Sequence, residues 1–372
     1  EVDEAVVPVP ALASLLEILA QEGFQPVGPT VQDHRLVLDA LAGPEDLPRG
    51  WTTEAVPGAF RLQRRSDATF FGFNLGQESW KMFFFPAQAP LLQVQRQVDE
   101  IHYQPVADEI PPLALIGVRA CELAAIAVHD RVLLDGPYVD TIYAGRRAAA
   151  FVVAVNCTEA DEACFCASLG TGPAASAGFD LSLTELRVTG EHVFLVQAGS
   201  PRGEKILARL PRQPVMASHK EQAESLIAAA AGSQTRSLPL DGLPGLLYER
   251  YDHPQWEAVA ARCLSCGNCA LVCPTCFCHA ITDRVDLAGQ EAQRWRTWDT
   301  CHTLDHSYIH GGTIRTSSRS RYRQWLTHKL AAWLDQFGCL GCTGCGRCLV
   351  WCPAAIDLTA ELRALRETPA KE

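Results

Sequence analysis

No run of about 18 consecutive apolar residues occurs in this 372-residue sequence, so no transmembrane helix is expected. The opening Glu1-Val2-Asp3-Glu4 is acidic and lacks the apolar stretch of a signal peptide. The chain does not start with Met, which is compatible with a trimmed start, and a cytoplasmic location is the expectation. Excess positive charge is also missing. With 32 basic residues against 43 acidic ones, the formal charge of −11 disfavours general binding to nucleic acid or to an anionic membrane. A dinucleotide fingerprint is absent. The nearest candidate, Gly170-x-Gly172, carries Ala175 at the third glycine position, contains Pro173 and follows a cysteine loop instead of a strand. No Ser-His-Asp set or carboxylate pair stands out, so no catalytic residue is assigned.

Cysteine, by contrast, is abundant, at sixteen residues. Disulfides are disfavoured in the cytosol, so clustered cysteines there point to metal or redox chemistry. The apolar fraction of 48% is ordinary for a globular chain, and the length exceeds one ordinary core. Residues 1–240 read as a mixed-sheet α/β domain. Strand-length apolar runs occur at Phe70–Leu75, Met82–Phe85, Leu113–Val118, Phe151–Val155 and Val193–Val196, with helical patterns at about Ala11–Gln21, Cys121–Leu134 and Lys220–Ala231. Ser233–Gly245 reads as a linker, followed by a helix over about Leu246–Arg262. Residues 241–372 are then an α-rich, dicluster ferredoxin-like domain, with a loose polar tail from Thr368.

Two motifs carry the chemistry. Cys263-x2-Cys266-x2-Cys269-x3-Cys273-Pro274 and Cys342-x2-Cys345-x2-Cys348-x3-Cys352-Pro353 both fit the bacterial ferredoxin run for a cubane [4Fe–4S] cluster. Three close thiolates bind three irons of one cluster. The fourth cysteine leaves on a helix toward the partner cluster, and the proline behind it turns the chain away. Gly267, Gly344 and Gly346 permit tight turns that aim N–H groups at sulfur. The usual crossover assigns Cys263, Cys266, Cys269 and Cys352 to one cluster, and Cys342, Cys345, Cys348 and Cys273 to the other. The 68 residues between Cys273 and Cys342 must loop out and return. Zinc also takes C-x2-C pairs, but it rarely needs four cysteines at this spacing followed by proline, twice over.

Eight cysteines remain. Cys121 follows the strand Leu113–Val118 and opens a helix, where the dipole favours a thiolate. Cys157 follows the strand Phe151–Val155, and Cys164-Phe165-Cys166 sits in the next loop. Parallel strands would bring these four together at one sheet edge, as a third cluster or as packed free thiols. Cys276, Cys278 and Cys301 are candidates for shielding a cluster, for ligating another metal with His279 or His302, or for packing. Cys339 reads as a bystander. His302, His306 and His310 would share one face of a helix, and are more often ordinary residues than ligands. Arg315, Arg319, Arg321, Arg323 and Lys329, with Tyr322 and Trp325, form a basic run that reads as a partner-docking or salt-bridged helix in so acidic a chain.

The stretch from Cys263-Leu264-Ser265-Cys266-Gly267-Asn268-Cys269 through Cys273-Pro274-Thr275-Cys276-Phe277-Cys278 resembles the iron–sulfur β subunit of cytoplasmic NAD(P)-linked nickel–iron hydrogenases, the sulfhydrogenases. So do Gly344-Cys345-Gly346-Arg347-Cys348, Trp351-Cys352-Pro353, Ser79-Trp80-Lys81, Gly117-Val118-Arg119-Ala120-Cys121-Glu122, Asn156-Cys157 and Cys164-Phe165-Cys166. Cys339 and Ala120, where proline is expected, depart from the pattern without touching the eight core ligands. The resemblance implies an electron relay between the hydrogenase small and large subunits and a flavin subunit that binds NAD(P). It also implies a third iron–sulfur cluster on Cys121, Cys157, Cys164 and Cys166, besides the two [4Fe–4S] clusters. The iron–sulfur subunit of anaerobic sulfite reductase shares much of the pattern. A sulfur- or disulfide-reducing subunit with its own site at Cys276, Cys278 and Cys301 is the other alternative.

Overall fold

The computed structural model describes residues 3–98, 100–106, 111–188 and 190–367, so the tail from Thr368 lies outside the described residues. A mixed α/β, sheet-rich N-terminal region precedes a helical C-terminal region. The N-terminal region is built on a seven-stranded sheet. Its middle is parallel: Gln25–Gln32, Leu113–Val118, Phe151–Val155 and Leu181–Val188 lie side by side. Arg35–Ala40 closes one edge in antiparallel pairing, and Glu191–Ala198 followed by Glu4–Pro8 closes the other. Every residue of Phe151–Val155 is buried, as a parallel strand covered by helices requires. Helices Ala11–Gln21, Ala120–Leu133, Pro201–Arg209 and Ala217–Gly232 pack against the sheet.

The segment between the two cysteine motifs does more than loop out. Its strands His279–Val285 and Glu291–Trp298 form a hairpin. That hairpin pairs through Glu291–Trp298 with Gln88–Arg96, which in turn pairs with Ile101–Pro105. The sheet therefore joins residues about two hundred positions apart. One large apolar core is drawn from residues 5–210, and a second from Phe165 and residues 238–365.

Several local expectations are corrected. Phe70–Leu75 forms no strand, although Phe70, Phe71, Phe73 and Leu75 are all buried. Side chains satisfy its backbone instead. Glu185 accepts from the N–H of Phe70 and Phe71 at 2.8 and 2.9 Å, and Arg119 donates to the carbonyls of Phe71 and Phe73, both at 2.7 Å. Met82–Phe85 falls on a short helix, Lys81–Phe84, and its C-cap, with Phe84 and Phe85 buried in the core and Met82 exposed. The helix expected over Leu246–Arg262 is split into Leu243–Glu249 and Gln255–Ala260, because Pro254 restarts the second one. Leu243–Glu249 begins inside the expected linker, where Leu238 is also buried. His302, His306 and His310 share no helix face, since that stretch holds only a short 3₁₀ turn and a two-residue hairpin strand.

His129, on helix Ala120–Leu133, is 1% exposed and ringed by Phe85, Tyr143 and Phe277. Burial, and then the charge of Lys81, pull its pKa down to about 3. The unfolded chain takes up this proton near pH 6.5 and the folded chain only near 3, so folding stability is lost as pH falls through that window. The expected loss is about 1.4 kcal/mol per pH unit from this one group. Denaturant titrations of the wild type and of His129→Gln between pH 7 and 4 check it, with the variant showing the flatter pH profile.

Candidate iron–sulfur sites

Cys263, Cys266, Cys269 and Cys352 line one pocket, closed by His302, Tyr322, Trp325 and Pro353. Three of these cysteines come from the first motif and the fourth from the second. Gly267 (φ 77°) and Gly346 (φ 74°) turn the chain into the short helices Asn268–Leu271 and Arg347–Val350. A Cβ on Gly346 would lie 2.3 Å from the Ala163 carbonyl oxygen, so no larger residue fits. Backbone N–H groups point at sulfur, from Ser265 to Cys263 Sγ at 3.4 Å and from Ile356 to Cys352 Sγ at 3.3 Å. His302 Nε2 is 3.3 Å from Cys269 Sγ. Burial, aided by Arg321, lowers the His302 pKa to about 4, so it stands there as a neutral imidazole. Cys266 is exposed, and Leu264 beside it is 68% exposed, so this set reaches the surface.

Cys273, Cys342, Cys345 and Cys348 form a deeper group. Cys273 acts electrostatically on the other three. Burial pushes the Cys342 thiol up to about 12 and raises Cys348 well above the ordinary range. Lys329 stands against this group, with no carboxylate partner among the described residues. Its Nζ donates to Gly341 O at 2.8 Å, Thr275 Oγ1 at 2.9 Å, Cys273 Sγ at 3.4 Å and Cys276 Sγ at 3.6 Å. Burial opposes the ammonium charge. The facing sulfurs of Cys273, Cys276, Cys342 and Cys348 outweigh it and hold the lysine pKa high.

A third pocket is lined by Cys121, Cys157, Cys164 and Cys166, with Arg119, Gln234, Cys345 and Arg347. The strands Leu113–Val118 and Phe151–Val155 pair in parallel, so the segments leaving them emerge at the same sheet edge. The expectation that the helix start favours a Cys121 thiolate is corrected, because burial pushes this thiol well up. Burial also raises Cys164 strongly and Cys166 to about 11, even with Gln234 Nε2 donating to Cys166 Sγ at 3.3 Å. As free groups these thiols stay protonated, and ionising them all needs nearby positive charge, which iron supplies. Four cysteines around one pocket are a donor set of the kind an iron–sulfur cluster takes. Gly344 seats the second motif against this loop. Phe165 N donates to Gly344 O at 2.9 Å, and a Cβ there would meet Cys166 N at 2.6 Å.

The short motifs outside the cysteine runs lock these regions together. Glu122, next to Cys121, accepts from Ser79 Oγ at 2.9 Å and from Trp80 N at 3.0 Å, and pairs with Arg347 at 2.5 Å. Lys81, 4% exposed, donates to the carbonyls of Leu271, Cys273 and Cys276 at 3.3, 2.9 and 3.2 Å and lies over the Trp298 ring. It clamps the turn that carries Cys273. Lys81 and Lys329 carried no assigned role in the sequence. Only their position, in Ser79-Trp80-Lys81 and in the basic run, marked them. That run does not form one face: Lys329 and Arg321 turn inward, and Arg319 pairs with Asp252 at 3.0 Å. Arg321 Nη2 donates to Ser265 Oγ at 3.0 Å, beside the first set. Cys276 lies against Cys273, Cys278 faces Cys301 with sulfurs 3.9 Å apart, and Cys339 is half-buried.

Residues 262–356 match the family model described as a 4Fe-4S dicluster domain, which spans both C-x2-C-x2-C-x3-C-P motifs. The chain is also 32% identical over 295 residues to sulfhydrogenase 2 subunit beta of Pyrococcus furiosus, covering 77% of this chain and 82% of that one. The chain belongs to the sulfhydrogenase β-subunit family. Membership agrees with the resemblance drawn from the motifs, and the dicluster domain makes the chain an iron–sulfur electron-transfer protein. Among the described residues no helix is long and apolar enough to cross a membrane.

Proposed function

We propose that this chain relays electrons in the cytoplasm between a nickel–iron hydrogenase module, made of its small and large subunits, and a flavin subunit that binds NAD(P). Three clusters supply one-electron acceptance and release. Cys263, Cys266, Cys269 and Cys352 hold the first, Cys342, Cys345, Cys348 and Cys273 the second, and Cys121, Cys157, Cys164 and Cys166 the third. The observation that carries this reading is the sharing of walls. Cys345 belongs to the second set and also lines the third pocket, while Cys348 belongs to the second set and also lines the first pocket. The three sets thus form one continuous line with the second in the middle. Cys266 opens the first end to a partner at the surface. Lys81 and Arg347 hold the sets in register, since each ties one cysteine motif to the N-terminal region. The division into a domain of residues 1–240 and one of 241–372 follows the same line, with the third set in the first domain.

Iron and acid-labile sulfide analysis of the anaerobically purified chain tests the count. About twelve irons per chain are expected, at four per cubane, and about eight would remove the third cluster. Cys164→Ala is expected to lower the count by about four and to leave the EPR signals of the other two clusters in place. A count unchanged by this substitution would take Cys164 out of the ligand set. Nickel in the co-purified complex supports the hydrogenase assignment; siroheme in its place would move the chain to a sulfite reductase.

A further inference from the structure

Cys276, Cys278 and Cys301 lie outside the three thiol sets, and they do not share one environment. Cys276 turns toward the second set, with its thiol against Cys273 and Lys329 Nζ 3.6 Å away. Cys278 and Cys301 face each other, their sulfurs 3.9 Å apart. The hairpin holds them in place. Cys278 leads into strand His279–Val285 and Cys301 follows strand Glu291–Trp298. His279 pairs with Trp298 at the open end, and Asp299 N donates to Cys278 O at 2.9 Å. Both cysteines are partly exposed.

We propose that Cys278 and Cys301 form a reversible dithiol–disulfide pair that exchanges with small-molecule disulfides. The 3.9 Å contact has to close to a bond of about 2.05 Å. The surroundings favour Cys301 as the attacking sulfur. Its contact with Cys278, with His306 and Lys329 nearby, draws its pKa down, whereas Cys278 is raised as the partner that keeps its proton. His306 is itself held by Asp299, with Nδ1 2.9 Å from the carboxylate. A thiolate near neutral pH with a resolving thiol in contact is the arrangement that thiol–disulfide exchange needs.

The chemistry balances without a further reactant. The Cys301 thiolate attacks one sulfur of a disulfide RS–SR, the S–S bond breaks, and RS⁻ leaves with Cys301–S–SR formed. Cys278 loses its proton to solvent and its sulfur attacks Cys301. The Cys278–Cys301 bond forms and the second RS⁻ leaves. Two protein thiols are oxidised by two electrons, and one disulfide is reduced to two thiols. A low-molecular-weight dithiol reverses the sequence. The pair thus adds a two-electron site next to Lys329 and the second thiol set. This inference stands independently of the relay reading, because neither its reactants nor its test uses cluster reduction.

The test is anaerobic incubation of the full iron-loaded chain with glutathione disulfide, then alkylation and peptide mass spectrometry. One Cys278–Cys301 link and two released glutathiones per chain are expected, reversed by dithiothreitol, with the iron content unchanged. Cys278→Ser is expected to stall as a glutathione adduct on Cys301 with full iron content, and Cys301→Ser to give neither link nor adduct at that position. Failure of the wild-type link to form would overturn the proposal. So would loss of iron in Cys278→Ser or Cys301→Ser, which would make these residues metal ligands.

Discussion

Replacing Cys345 by serine is expected to abolish electron passage between NAD(P) and the proposed hydrogenase partner while leaving dye-linked activity at the proposed nickel–iron subunit intact. Cys345 is partly buried in the second thiol set and also forms part of the wall of the third pocket. Arg347, two residues on, is paired with Glu122 beside Cys121. The expected readouts are a loss of about four irons per chain, disappearance of one EPR signal and NAD(P)-linked turnover at background. Coupled turnover near the wild-type rate would show that the middle set is not on the path. The same experiment on Cys266, at the exposed end of the first set, is expected to give the same split between coupled and dye-linked activity.

Lys329→Met is expected to lower the midpoint potential of the cluster proposed on Cys273, Cys342, Cys345 and Cys348. The ammonium sits 3.4 Å from Cys273 Sγ in a buried pocket, and a positive charge there stabilises the more negative, reduced state. At an effective dielectric of about 20, a unit charge at that separation contributes roughly 5 kcal/mol to a thiolate. A cluster spreads its charge over many atoms, so only a fraction acts on the couple, for a downward shift on the order of 100 mV. Methionine retains the length and apolar contacts of the lysine stem, so the shift reports charge more than packing. Lys329→Arg, which retains the charge, is expected to restore most of the potential. EPR-monitored redox titration of the iron-loaded chain measures both. A potential unchanged in Lys329→Met would assign the lysine a purely structural part, through Thr275 and Gly341.

Local signals along the chain predicted local structure well where periodicity and burial agree. Ala11–Gln21, Leu113–Val118 and Phe151–Val155 fall where their patterns place them. They misled where an apolar run is buried by something other than a neighbouring strand. Phe70–Leu75 has a strand's composition, yet Glu185 and Arg119, far along the chain, take its backbone hydrogen bonds. Likewise, Cys121 stands at a helix start, which favours its thiolate, but the surrounding core withdraws the water that would support the charge.

The two C-x2-C-x2-C-x3-C-P motifs were legible because ligand spacing for a compact cluster is a short-range property, written within eleven residues each. The family followed from those motifs together with Ser79-Trp80-Lys81 and the cysteines after the two parallel strands. The path of the chain between the motifs was not legible. The return of the 68-residue segment as a hairpin on Gln88–Arg96 depends on strand pairing between distant residues. So do the inward turn of Lys329 onto Cys273, the clamp of Lys81 on the following turn and the contact of Cys278 with Cys301. Such contacts follow from which surfaces bury one another, and no local pattern encodes their partners.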